Sequence, residues 1–219
     1  GPLMYPAVAL VDPALLASLP AATVASTGLD ALTHALEALT ARPATPLSDT
    51  LALEAVRLVF RHLPMAHQDI GRNAAAREGQ MLGSLLAGMA FGNSDVGAVH
   101  CLAEAIGSLY DKPHGLTNAV LLPFVMEFNS ETAEAKYAKA ADTLGYGLER
   151  PADAAGVLVD KVRALSRSLG IPPFAGLGLP EADFPIIAAK AFENNSNASN
   201  AREAGPEDYL SILRRAAAG

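Results

Sequence analysis

Apolar positions recur at three- and four-residue spacing along almost the whole chain, the period of amphipathic helices. In residues 51–63, Leu51, Ala55, Leu58, Val59 and Leu63 fall on one face while Glu54, Arg57 and Arg61 fall on another, which predicts a surface helix with one buried stripe. The same period predicts further helices over residues 22–41, 72–91, 95–109, 116–128, 131–143, 152–169, 181–191 and 206–217, with boundaries good to about 2–4 residues. Breaks are expected at Pro43 and Pro46, Pro64, Pro113, Gly145 and Gly147, and Gly170-Ile171-Pro172-Pro173, where a missing N–H or a free φ ends the helical pattern. Only Val8 to Val11 reads as extended, followed by a turn and short helix from Asp12 to Leu19. The expected fold class is all-α, a helical bundle-like domain with no internal repeat.

Composition narrows this picture without changing it. The 219 residues are enough for one well-buried core. Much of the 51% hydrophobic content is alanine, and the apolar run around Met81 to Ser94 is shorter than the roughly 20 residues of a membrane helix. Gly83, Gly88 and Gly92 within that run suit a closely packed buried helix instead. A net charge of −7 dispersed in short stretches argues against nucleic acid as a partner. A single cysteine, Cys101, and no secretory leader point to an intracellular, cytoplasmic protein. Gly1-Pro2-Leu3 reads as the scar of a cleaved purification tag, leaving residues 4–219 as a single helical domain; Met4 is either a designed start or the start of the reading frame.

The candidate chemistry lies in Asp30, His34, His100 and His114, which use three of the five histidines. One carboxylate and three imidazoles suit a divalent transition metal. Asp30 and His34 stand four apart, so a helix puts both on one face with Cβ atoms roughly 5–6 Å apart. His100 opens an apolar helix, and His114 follows it after the Lys112-Pro113 break. Each residue alone has a plainer reading: Thr27 with Asp30 resembles a capping box at a helix start, and a lone histidine is more often a satisfied core or cap residue. His62 and His67, flanking Pro64, read as surface groups at a helix end. Cys101 reads as a buried small residue and Tyr110 as a packing residue. Asn194 to Asn200 reads as a polar surface loop whose amides close turns, with sequons at Asn194 and Asn197 that an intracellular chain leaves unused.

The words around these residues add a resemblance. Gly28-Leu29-Asp30-Ala31-Leu32-Thr33-His34-Ala35-Leu36-Glu37-Ala38, Ala87-Gly88-Met89-Ala90-Phe91-Gly92-Asn93, Val99-His100 and Tyr110-Asp111-Lys112-Pro113-His114-Gly115 occur in order, with Leu121-Leu122-Pro123 beyond. Together with Leu10-Val11-Asp12-Pro13 and Ser18-Leu19-Pro20, they resemble the iron-containing (group III) alcohol dehydrogenase family, most closely over about residues 6–130. The resemblance implies the C-terminal helical domain of that family, within the dehydroquinate synthase-like superfamily. It also implies Asp30, His34, His100 and His114 as the four ligands of a divalent metal, with Fe2+ favoured and Zn2+ the alternative. Many family members carry a further histidine one turn after the third ligand, where this chain has Glu104. Three roles stay open for Glu104: a group orienting a ligand or water, a proton relay, or an ion-pair partner of a neighbouring helix.

No glycine-rich turn between a strand and a helix offers a pyrophosphate cradle. The chain therefore reads as the metal-binding catalytic domain of an NAD(P)-dependent alcohol dehydrogenase without its N-terminal cofactor domain. NAD(P) belongs to the full-length enzyme only, a small alcohol or carbonyl compound is the substrate, and the isolated domain is expected to be inactive. Two other readings are a free-standing metal-binding or homo-oligomerising module, and a metal hydrolase or lyase with Glu104 as its only evident base.

Overall fold

The computed structural model describes residues 6–146 and 154–219. Every long element among them is an α-helix: α1 (Ala21–Thr40), α2 (Pro46–Asp69), α3 (Ala74–Gly92), α4 (Ala98–Tyr110), α5 (His114–Thr143), α6 (Ala154–Ser168), α7 (Phe184–Phe192) and α8 (Pro206–Ala218). The expected tag scar Gly1–Leu3, Met4, Gly147 and the first two positions of the 152–169 helix lie outside the described residues.

Helix α1 is central. Val24, Ala25, Leu29, Leu32, Ala35, Leu36, Ala38 and Leu39 are all buried, because α2, α3 and α5 pack around it. At Gly28 a Cβ would stand 2.2 Å from a Leu63 methyl, so only glycine allows this approach of α1 to α2. The helix begins at Ala21 behind Pro20, which corrects the capping-box reading: Thr27 sits mid-helix, donating its hydroxyl to the Thr23 carbonyl at 2.8 Å, and Asp30 is released for other work. A capping box does form at α2, where Thr45 and Ser48 exchange side-chain and backbone hydrogen bonds ahead of Pro46.

Two expected breaks are absent. Helix α2 runs through Pro64 to Asp69, since Leu63, Ala66 and Ile70 continue one buried stripe. Helix α5 runs unbroken for 30 residues through Pro123, joining the two helices expected over 116–128 and 131–143. An interior proline costs about 3 kcal/mol, and here Leu121, Leu122, Val125, Met126 and Phe128, all buried, offset it through hydrophobic burial. Asn129, which falls between those two expected helices, is buried and exchanges two amide hydrogen bonds with Asn200 at 2.9 and 3.0 Å.

The turn between α4 and α5 folds the chain back on itself. Asp111 takes a left-handed φ of 50°, a conformation that costs a non-glycine residue roughly 1–2 kcal/mol, and Pro113 then starts α5 with His114 as its first residue. Among the described residues no helix is long and apolar enough to cross a membrane.

Candidate metal centre

Helices α1, α4 and α5 bring the four predicted residues to one place. Asp30 and His34 project from one face of α1, His100 stands in the first turn of α4, and His114 opens α5. His34 Nε2 lies 3.0 Å from His100 Nε2. Asp30 Oδ1 lies 3.8 Å from His114 Nε2 and 4.0 Å from His100 Nε2. Asp30, His34 and His100 form the compact group, with ligand atoms all within 4.8 Å of one another. His114 stands at the rim with its side chain 44% exposed, whereas His100 is 4% exposed. The cluster thus has a closed floor and one side open to solvent. Phe91 from α3 stacks on His34, ring centroids 4.6 Å apart, and limits how that imidazole can turn.

Two observations bear on whether these residues suit a cation. A tetrahedral ion with bonds of about 2.0–2.1 Å separates its ligand atoms by about 3.4 Å, and the distances of 3.0, 3.8 and 4.0 Å bracket that value. The tautomers give the second. His34 Nδ1 is 2.9 Å from the Asp30 carbonyl oxygen, which can only accept, so Nδ1 carries the proton. His100 Nδ1 is 2.5 Å from Glu37 Oε2, so its proton also sits on Nδ1 when the carboxylate is ionised. With both rings neutral the two Nε2 atoms present lone pairs to each other, an arrangement that a shared proton or a metal cation relieves.

The electrostatics set the two rings apart, favouring the neutral form at His34 and the charged form at His100. Burial, followed by the neighbouring His100 ring, lowers the pKa of His34, with Asp30 and Glu37 opposing. At His100 burial is the largest influence and disfavours charge, yet the Glu37 carboxylate, aided by Asp30 and Glu104, more than offsets it and raises the pKa.

Two residues at this site escaped the sequence reading. Glu37 is buried, and its Oε1 accepts from the Val99 N–H at 2.7 Å. Asn118, one turn after His114, donates Nδ2 to Asp30 Oδ1 at 2.6 Å and stands 3.0 and 3.2 Å from His114 Nε2 and His100 Nε2. Its amide hydrogens face the same lone pairs a cation would take, while its own Oδ1 is buried without a hydrogen-bond partner. The one hint in the sequence was helical spacing, Glu37 three residues after His34 and Asn118 four after His114.

Other expectations fare differently. Glu104 is exposed and accepts a hydrogen bond from Asn194 Nδ2 at 2.6 Å. His62 is not a plain surface group: its ring packs on Gly79, where a Cβ would come within 2.3 Å of it, and its Nδ1 is buried without a partner. Continuation of α2 past Pro64 explains this, because His62 faces α3 rather than a helix end. His67 lies in the last turn of α2. Burial pushes the Cys101 thiol up to about 12 despite a hydrogen bond with Tyr209. Tyr110 donates its hydroxyl to Asp183. The Asn194–Asn200 stretch forms a short 3-10 helix held by Asp95 through Ser196 and Ser199. It is not wholly a surface loop, because Ser196 and Asn200 are buried.

An all-helical fold around a half-open cluster of one carboxylate and three imidazoles places the chain among helical domains with a candidate metal site. Comparison with known proteins narrows the class: residues 24–217 match the Fe-containing alcohol dehydrogenase family, C-terminal, and the chain belongs to that family. It is 42% identical over 214 residues to 1,3-propanediol dehydrogenase of Klebsiella pneumoniae, covering 96% of this chain and 55% of the relative. It is 37% identical over 215 residues to NAD-dependent methanol dehydrogenase of Bacillus methanolicus, covering 96% and 56%. The crystal structure of an iron-containing alcohol dehydrogenase from Thermococcus thioreducens superposes with a TM-score of 0.91 at 32% identity, covering 100% of this chain and 57% of that one. The chain therefore spans about half the length of the curated relatives it matches.

Proposed function

We propose that this chain is the metal-binding catalytic domain of an NAD(P)-dependent alcohol oxidoreductase, with Asp30, His34, His100 and His114 holding one divalent cation. The observation that carries the proposal is the pair of Nε2 atoms 3.0 Å apart on imidazoles whose Nδ1 protons are committed to the Asp30 carbonyl and the Glu37 carboxylate. Imidazole and carboxylate ligands accommodate both ferrous iron and zinc; family membership favours iron. When bound, the cation supplies Lewis acidity to the oxygen of an alcohol or carbonyl substrate.

The chain's own residues do the rest of the work assigned to this half. Asp30 contributes the negative charge, and Glu37 and the Asp30 carbonyl fix the Nδ1 protons of two imidazoles so that Nε2 is directed inward. His114, at the rim, leaves the open side of the cluster to a small alcohol, aldehyde or ketone. The hydride carrier is a nicotinamide dinucleotide, as in the NAD-dependent relative. Its pyrophosphate would be held outside the residues described here, which contain no strand leading through a glycine-rich turn into a helix. Glu104 lies at the periphery of this scheme, close enough for its charge to act on His100.

The test is metal content after loading with ferrous iron or zinc, for the protein and for an Asp30→Ala/His34→Ala variant. The expected result is one metal per chain, lost in the variant. Equal metal content in both would remove the proposed ligand set.

A further inference from the structure

We infer that Glu37 is a positioning residue of this site: its buried carboxylate fixes His100 in the tautomer that presents Nε2 to the metal. The inference deepens the reading above and rests on it for the metal, though not for the tautomer.

Glu37 sits one turn beyond His34 on α1 and is only 4% exposed. A carboxylate so buried stays ionised only if donors satisfy it. Two do: the Val99 N–H at 2.7 Å and His100 Nδ1 at 2.5 Å. Val99 lies in the first turn of α4, where unpaired N–H groups and the helix dipole favour a negative charge. An ionised carboxylate only accepts, so His100 must donate from Nδ1, and its neutral form carries the lone pair on Nε2. One side chain thus docks the start of α4 against α1 and sets the chemistry of the histidine one residue later.

The socket for this carboxylate is built rather than incidental. Gly97 caps α4, and a Cβ there would stand 3.2 Å from Glu37 Oε1 and 2.7 Å from Asn200 Oδ1. Asn200 Oδ1 in turn accepts from the Ala98 N–H at 3.1 Å, so the two buried acceptors share the first N–H groups of the helix between them. A side chain at Gly97 would separate Glu37 from its donors.

Glu37→Gln conserves shape and removes the constraint. A glutamine has one acceptor and one donor end, yet it faces two donors, Val99 N–H and His100 Nδ1–H. Either the backbone N–H meets an NH2 group, or His100 turns over its protonation and places the hydrogen on Nε2, where it blocks ligation.

The experiment has two readouts at one fixed pH of about 9, chosen above the usual imidazole range so that the neutral tautomer is read: side-chain 15N spectra of the histidines in chelator-treated protein, and zinc affinity by chelator competition. Wild type should show His100 protonated on Nδ1; Glu37→Gln should lose that pattern and bind zinc about 10–100-fold more weakly, as expected for loss of a partner that orients a ligand. Zinc affinity within threefold of wild type in Glu37→Gln, or a wild-type His100 protonated on Nε2, overturns the inference. If the variant does not fold, the wild-type tautomer alone decides. If wild type takes no metal, the ligand assignment fails, while the spectra still decide the role of Glu37.

Discussion

Replacing Gly115 with alanine should weaken metal binding without unfolding the protein. Gly115 follows His114 in the first turn of α5, which lies directly on the backbone of α1. A Cβ built there stands 2.8 Å from the Ser26 carbonyl oxygen and 3.2 Å from Asp30 Cβ. Non-bonded heavy atoms settle at about 3.5 Å or more, so the start of α5 must retreat by roughly 0.7 Å. His114 moves with it, whereas Asp30 stays on α1. Metal–ligand bonds tolerate about 0.2 Å, and the displacement exceeds that. Overpacking costs about 1–3 kcal/mol, and the better helix propensity of alanine returns about 1 kcal/mol. The net loss of at most about 2 kcal/mol corresponds to a fall in Tm of roughly 4–8 °C for a chain of this size. Chelator-competition titration beside thermal unfolding separates the two effects. The expected result for Gly115→Ala is a folded protein with zinc affinity down at least about tenfold, in the range seen when a ligand's support is removed. Wild-type affinity in that variant would refute the reasoning, because either the α1–α5 contact or the place of His114 in the ligand set would then be wrong.

Two further predictions concern the surroundings of the site. Asn200→Ala removes partners from the Asn129 amide, the Ala98 N–H and the Arg202 carbonyl; with each buried orphan costing about 1–3 kcal/mol, stability should fall by about 3 kcal/mol or more, read by thermal unfolding, and an unchanged Tm would contradict the network. Burial that pushes the Cys101 thiol up to about 12 predicts no reaction of native protein with a thiol reagent at about pH 8. Because that folded pKa lies above the unfolded one, the stabilisation is complete below about pH 8.5 and declines by about 1.4 kcal/mol per pH unit as pH rises toward 12. Cys101→Ala should flatten that alkaline decline in chemical unfolding, and an identical slope would contradict the burial argument.

The helices were legible because their stabilising interactions are local or periodic: Leu29, Leu32 and Leu36 repeat at helical spacing and are buried together on α1. Pro64 misled. A break at Pro64 follows from the local rule of a lost hydrogen bond and a ring clash, and burial along the rest of α2 overrides it, while the gap expected at residues 129–130 is closed by the continuous α5. The clustering of Asp30, His34, His100 and His114 was legible through their residue types and the motifs around them. Its supports were not, because Glu37 meets His100 across 63 residues, Asn118 meets Asp30 across 88, and Asn129 meets Asn200 across 71. No periodicity encodes such a pairing, and only folding turns a glutamate on an alanine-rich helix into a histidine's partner. His62 shows the converse, a polar residue whose plain sequence context hid its packing on Gly79.

X-ray absorption at the zinc edge of zinc-loaded protein tests the central claim most directly, since it counts and identifies the atoms around the metal. The account predicts a four- or five-coordinate ion with three imidazole nitrogens and one carboxylate oxygen at about 2.0–2.2 Å. Sulfur scattering, or fewer than three imidazoles, would contradict the assignment of Asp30, His34, His100 and His114.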